Sequence, residues 1–276
     1  MSQQPLSQKP FGRLLLTGAA GNLGRQLRAS LASWAGVVRL TDIVDVGDAA
    51  SDEETSIVDL ADRSAGMAGF NKVFTLEQVL DSPMVATPLT LYACCPNGDG
   101  AAATIVCSRD RLAAPRRSAR IAASVLTSGL YDRMRDLTWW EWETRAARLA
   151  YDMAGLAPSD INVVEVHDAF TISELEHYEG LGLCARGESG AFIDSGATRL
   201  DGRIPVNNPS GGLLARGRPP GASGLAQIDE LLLQMRHEAG PRQTRRAGVA
   251  LAQIMGVSKS NDAQACTIHI LSKDLG

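Results

Sequence analysis

The stretch Ile161-Asn162-Val163-Val164-Glu165-Val166-His167-Asp168-Ala169-Phe170 predicts a strand over Ile161–Val166 that ends at His167-Asp168. A helix is expected directly after it, over Phe170–Leu183. Working backward, Trp142, Ala146, Leu149, Ala150, Met153 and Ala154 form a helical stripe that Gly155 stops. Ala119–Leu126 and Ala101–Cys107 read as strands, separated by a loop at Pro115-Arg116-Arg117. Working forward, Asp194–Pro220 is rich in Gly, Asn, Ser and Pro and reads as one long loop. Loops of that length inside a compact domain are usually functional or disordered. Leu225, Ile228, Leu231, Leu232 and Met235 give a further helix, and Gly248–Met255 and Ala265–Leu271 the closing strands. Strands alternating with helices place the chain in the α/β class.

The first 65 residues carry a second signal. Arg13–Thr17 reads as a strand, and Leu23, Leu27, Leu31 and Trp34 mark one helix face. Val37–Ile43 and Ser56–Leu60 follow as strands. Between the first strand and the helix lies Gly18-Ala19-Ala20-Gly21-Asn22-Leu23-Gly24, a glycine turn in the context that a dinucleotide fingerprint requires. Glycines let the backbone approach a pyrophosphate, and the helix N-terminus offers N–H groups to it. Asp42 ends the second strand, where a carboxylate suits the ribose hydroxyls of NAD and repels a 2′-phosphate. Asp59 and Leu60 end the third, near an expected adenine contact. The cofactor-binding set is therefore Gly18, Gly21, Asn22, Leu23, Gly24, Asp42, Asp59 and Leu60.

The chain has 276 residues, 45% hydrophobic and 21% charged, with a net charge of −4. That composition supports a real core and excludes collagen and disordered classes. The acidic balance argues against nucleic acid as the main partner. No apolar run is long enough to span a bilayer, and Met1–Pro10 has no apolar signal core, so a cytoplasmic protein is expected. Five cysteines, with no Cys-x-x-Cys pair, signal neither a disulfide framework nor a metal site.

The opening from Pro10-Phe11 through Arg13–Gly21 to Asp59-Leu60-Ala61-Asp62 resembles short-chain dehydrogenases, and specifically uronate dehydrogenases. That family needs a Tyr-x-x-x-Lys pair. Tyr92, Tyr131, Tyr151 and Tyr178 are followed four positions on by Pro96, Arg135, Gly155 and Gly182, so the chemistry is not completed.

From about Phe70 the chain resembles thiolases. Leu91–Cys95 and Asp99-Gly100-Ala101-Ala102-Ala103 are similar to the end of their N-terminal half. Val164–Phe170 resembles the His-Asp-x-Phe motif of sterol-carrier-type, or lipid-transfer, thiolases. Asn208–Gly212 and Gly217-Arg218-Pro219-Pro220-Gly221-Ala222-Ser223-Gly224 resemble their Gly-His-Pro loop and following helix, and Ala265–His269 their closing strand. The resemblance implies a layered α/β/α domain that handles coenzyme A thioesters, homo-oligomers, and in some relatives a small zinc-ribbon/OB-fold partner protein. It divides the chain into a truncated NAD-binding Rossmann-like segment (1–65), a junction with the last hairpin of a thiolase N-terminal half (66–118), and a thiolase-like domain (119–276).

Three departures from the family matter. The half that carries the nucleophilic cysteine is missing. The Gly-His-Pro histidine is Arg218, and a guanidinium cannot act as a general base. The Cys-x-Gly cysteine aligns with Met255, and the alternative cysteine within His-Asp-x-Phe is Ala169. His167 and Arg218 remain as the catalytic candidates, with no metal ligands. Asp168 is expected to cap the helix beginning near Phe170, and His177, His237 and His269 have no partners visible in the sequence. The expectation is an acyl-CoA-binding, thiolase-type protein, impaired alone. Two alternatives stay open: an NAD-binding dehydrogenase remnant, and a mis-joined reading frame with no selected function.

Overall fold

The computed structural model describes residues 75–111, 118–136, 138–256, 258–259 and 262–273, and the backbone of three strands nearer the N-terminus. The chain divides into two units, Met1–Phe74 and Thr75–Gly276.

In the first unit, β1 (Phe11–Thr17), β2 (Ala35–Asp42) and β3 (Glu53–Ile57) form a parallel sheet in that order. Asp42 ends β2 and pairs with Ile57. The third strand thus begins earlier than the expected Ser56. Gly18, Gly21, Asn22, Leu23, Gly24, Asp59 and Leu60 lie outside the described residues.

The second unit opens with a capped turn of helix, α1 (Leu76–Leu80), and a small hairpin of β4 (Met84–Ala86) and β5 (Leu89–Thr90). Its body is a four-stranded mixed sheet. The strands are β6 (Arg120–Thr127), β7 (Val163–Glu165), β8 (Val249–Met255) and, after the minor hairpin of β9 (Ser258–Lys259) and β10 (Asp262–Ala263), β11 (Cys266–Ser272). The order is β6-β11-β8-β7; β7 runs parallel to β8 and the other pairs are antiparallel.

Side chains alternate across a strand, and here they feed two cores. Val164, Leu251, Ile268 and Ile270 face α2 (Glu141–Ala154) and α3 (Thr171–Gly180), burying Trp142, Ala146, Ala150 and Tyr178. Their neighbours Val163, Ala250, Ala252 and Leu271 face the other way, onto Leu231 and Met235 of a later helix, Ser223–Arg236. The result is the layered α/β/α arrangement. Between α3 and that helix lie α4 (Ser189–Asp194) and α5 (Gly212–Arg216), which makes Ser223–Arg236 α6.

Three expectations change. The stripe on α2 is rotated: Leu149 and Met153 are exposed, while Glu143, Ala147 and Tyr151 join Trp142, Ala146 and Ala150 inside. Ala101–Cys107 forms no strand and is largely exposed, Ile105 at 95%, because no strand among the described residues pairs with it. Asp194–Pro220 is not a single loop. It contains α5 and buries Ile204 and Val206, and its backbone pairs with β7 through Val164 N–H to Pro205 O and Asn207 N–H to Val164 O.

Candidate functional site

β7 ends at Glu165, and the chain leaves the sheet through Val166-His167-Asp168. Two side chains from distant segments hold this exit. Asn207, at φ +51°, accepts from Val166 N–H at 2.8 Å, and Gln253 on β8 accepts from His167 N–H at 3.0 Å.

The segment Cys94–Asn97 stitches this exit to the Arg218 loop. Cys95 N–H donates to Ala169 O and Arg218 N–H to Pro96 O, both at 2.9 Å. Gly217 turns the chain into this approach with a φ of +81°, a backbone that L side chains rarely adopt. Residues 95, 167, 168 and 218 are thereby gathered from three stretches of sequence.

His167 is 6% exposed, and its Nδ1 is buried with no hydrogen-bond partner among the described residues; the same holds for Nε of Arg218. Burial first, then the positive charges of His177 and Arg218, push the His167 pKa down to about 3. The ring is therefore neutral near pH 7. Orphaned buried nitrogens are uncommon and costly. Arg218 is in electrostatic reach of His167, and both nitrogens, with the imidazole hydrogen on Nδ1, are donors that an oxygen acceptor would satisfy.

Asp168 is a cap, but of a different helix. Phe170 is the N-cap of α3 and makes no side-chain cap bond. The Asp168 carboxylate instead accepts from Leu213 N–H at 2.7 Å and Leu214 N–H at 3.4 Å, at the start of α5. Unpaired N–H groups at a helix start explain the attraction. Burial still raises its pKa to about 7 against those bonds.

His177 has partners the sequence did not reveal. Its ring is fully buried between Glu143 Oε1, at 2.6 Å from Nδ1, and the carbonyl of His167, at 3.0 Å from Nε2. They come from α2 and from ten residues upstream, so no local spacing announced them. Glu143 sits on the buried face of α2, where a stripe read from apolar residues alone passes over it.

Cys95 is a thiol beside this site, and burial raises its pKa although Arg218 acts the other way. It is held away from the thiolate that attacks thioesters. Among the described residues, no group of three or more His, Cys, Asp and Glu side chains could hold a metal ion.

A cavity of about 180 Å³ adjoins the site, lined by Val166, Ser210, Leu213, Gly217 and Pro219 among others. A larger groove of about 820 Å³ lies between Ile105, Val106, Ile121 and Leu232, but neither His167 nor Arg218 lines it. His167 and Arg218 do not line the smaller cavity either, but their chain neighbours Val166, Gly217 and Pro219 do, so it is the nearer of the two to the site.

Comparison with known proteins identifies the family of the second unit. The model of the family "Thiolase C-terminal domain-like" matches residues 123–272, just over half of the chain. An acetyl-CoA acetyltransferase of Methanothermobacter thermautotrophicus is 44% identical over 75% of this chain and 53% of its own length. Sterol carrier protein 2 of Oryctolagus cuniculus is 39% identical over 68% of this chain and 36% of its own. The chain thus spans about half the length, or less, of these curated relatives. The solved structure "Ltp2-ChsH2(DUF35) aldolase" shares the fold, with a TM-score of 0.58 at 24% identity over 75% of this chain and 53% of that one. For the N-terminal segment, the likeness to a mutated uronate dehydrogenase covers 20% of each chain at a TM-score of 0.19, too little to bear on that segment's role. From the layered sheet to the strand-end histidine and the Arg218 loop, residues 123–272 place this chain in the thiolase C-terminal domain-like family.

Proposed function

We propose that the chain is the acyl-CoA-binding half of a thiolase-type acyltransferase, in which His167 and Arg218 polarise the thioester carbonyl. The observation that carries this is the pair of buried, unpartnered nitrogens, His167 Nδ1 and Arg218 Nε. A neutral imidazole and a guanidinium both stabilise charge that develops on a carbonyl oxygen. Each donor of this kind is worth ~3 kcal/mol in a water-excluded site. Neither activates a nucleophile, and Cys95 is kept as a thiol. Acyl transfer on this reading needs a thiolate and a base from elsewhere.

Calorimetric titration of the full chain with a medium-chain acyl-CoA tests the reading. Binding near micromolar, about −8 kcal/mol, is expected, and His167→Ala and Arg218→Gln should each weaken it about tenfold, about 1.4 kcal/mol. The same preparation should show no thiolysis of acetoacetyl-CoA above background. Unchanged affinity in both variants sinks the assignment, and turnover by the chain alone sinks the claim of dependence on a partner. A parallel cell with NADH tests the second reading, favoured by the parallel β1-β2-β3 sheet with Asp42 at a strand end. Heat that disappears in Asp42→Ala supports it, and no heat removes it.

Association belongs to the same proposal, with a second copy or with a zinc-ribbon/OB-fold protein. Ile105, Val106, Ile121 and Leu126 are large apolar side chains left 48–95% exposed. Exposed apolar clusters on that scale favour self-association or a partner. Sedimentation at rising concentration should show increasing mass; a clean monomer throughout argues against self-association.

A further inference from the structure

Resting on the reading of His167 as a carbonyl-polarising group, we propose that His177 and Glu143 are positioning residues for it. The buried pair grips the His167 carbonyl and sets a positive imidazole against the site histidine.

The geometry leaves little freedom. A carbonyl only accepts, so Nε2 of His177 carries a hydrogen and donates it to His167 O at 3.0 Å. The 2.6 Å contact between Nδ1 and Glu143 Oε1 then needs one further proton. With it on the ring, His177 is an imidazolium that donates from both nitrogens.

Other features favour that form. Both side chains are fully buried. Burial works against charge on His177, but Glu143, the bond to the His167 carbonyl and Asp168 together outweigh it and the pKa is raised; burial raises the Glu143 pKa as well, against the pull of His177. The charged and titratable groups within reach are Glu143 on α2, Asp168 at the strand exit, and Glu174 and Glu176 on α3 itself. All four are carboxyl groups, and the remaining titratable neighbour is the His167 ring itself. The edge-on contact between Trp140 and the His177 ring, with centroids 4.9 Å apart, helps close the pair off.

Gly180 is shaped to the same end. A Cβ there would lie 2.1 Å from Glu143 Oε2, so only glycine leaves room for the carboxylate. The His167 peptide is thus held from both sides, its N–H by Gln253 and its C=O by His177. A pair that merely joined α2 to α3 would have no reason to end on the backbone of the site histidine.

The test is ring-nitrogen NMR of the full chain with ¹⁵N-labelled histidine, since only four histidines must be assigned. Glu143→Gln keeps the bond, because its amide donates to a neutral Nδ1, but removes the charge. The two rings should then move in opposite directions. The His177 midpoint falls, while that of His167 rises by about one pH unit as the neighbouring positive charge is lost. His177→Gln, which can still donate to the His167 carbonyl, should raise the His167 midpoint similarly. A His167 titration unmoved in both folded variants overturns the proposal. Should the variants not fold, the unmodified chain decides: a His177 ring protonated on both nitrogens beside a neutral His167 supports it, and a His177 ring that carries one proton at pH 5, or a His167 ring protonated at that pH, overturns it. Acyl-CoA binding is read separately. Its absence in the unmodified chain defeats the proposed function and leaves the ring titrations standing, whereas intact binding with unmoved rings defeats only this inference.

Discussion

Replacing His177 by alanine should lower the free energy of unfolding of the thiolase-like unit by about 3–5 kcal/mol, the usual cost of stripping one partner from a buried ionic pair. Glu143 is fully buried, and its Oε2 already lacks a partner, so Oε1 would be orphaned as well. The ring also fills space against Trp140, and its removal leaves a cavity. Against a total of about 5–15 kcal/mol for an ordinary domain, most of the margin goes. Urea unfolding followed by far-UV circular dichroism measures it. The double variant Glu143→Leu/His177→Leu makes the contrast, because an apolar pair of similar volume is often neutral or stabilising where the single deletion is ruinous. A single variant that loses under 1 kcal/mol shows that water or a neighbour takes over the Glu143 carboxylate.

The same pair shows what could be read in the sequence and what could not. Strands β8 and β11 were visible because they are the central strands of the sheet, and burial on both faces calls for a largely apolar run. The end of α2 was visible because Gly155 takes φ +66° at the cap. Yet the facing of α2 was misread. Leu149 and Met153 were counted inward and Glu143 was not counted at all, since apolar periodicity is blind to a buried carboxylate whose partner lies 34 residues away. His167 could be singled out from its motif. The clamp around it could not, because Gln253, Asn207 and His177 reach it only through the fold. Asp194–Pro220 misled for a related reason. Its Gly, Asn and Pro content is that of a loop, but Asn207 at φ +51° turns the backbone so that Pro205 and Asn207 pair with β7. Ala101–Cys107 shows the converse: β-branched composition makes a strand only where another strand is there to receive it.

Gly212→Ala should be the most damaging small substitution near the site. Gly212 has φ +62°, and an added Cβ would fall 2.0 Å from Asp168 Oδ2 and 2.6 Å from its Cγ. The left-handed backbone alone costs an L-residue roughly 1–2 kcal/mol, and overpacking adds about 1–3 kcal/mol. The collision has a direction. The methyl group can be accommodated only by driving the Asp168 carboxylate off the start of α5, which releases the N–H groups of Leu213 and Leu214 together. Asp168 is bonded in sequence to His167, so the displaced chain carries the site histidine with it. Acyl-CoA affinity should therefore collapse at temperatures where the protein is still folded. Gly221→Ala is the control, with φ +82° and nothing within 4 Å of its added Cβ. It meets the same backbone penalty and no collision, so only a loss of about 1 kcal/mol is expected, with binding intact. Equal effects from the two substitutions would show that backbone strain alone is felt and that the Asp168 cap does not hold His167 in place. A large loss of binding confined to Gly212→Ala would show that the α5 cap and the strand-end histidine act as one unit.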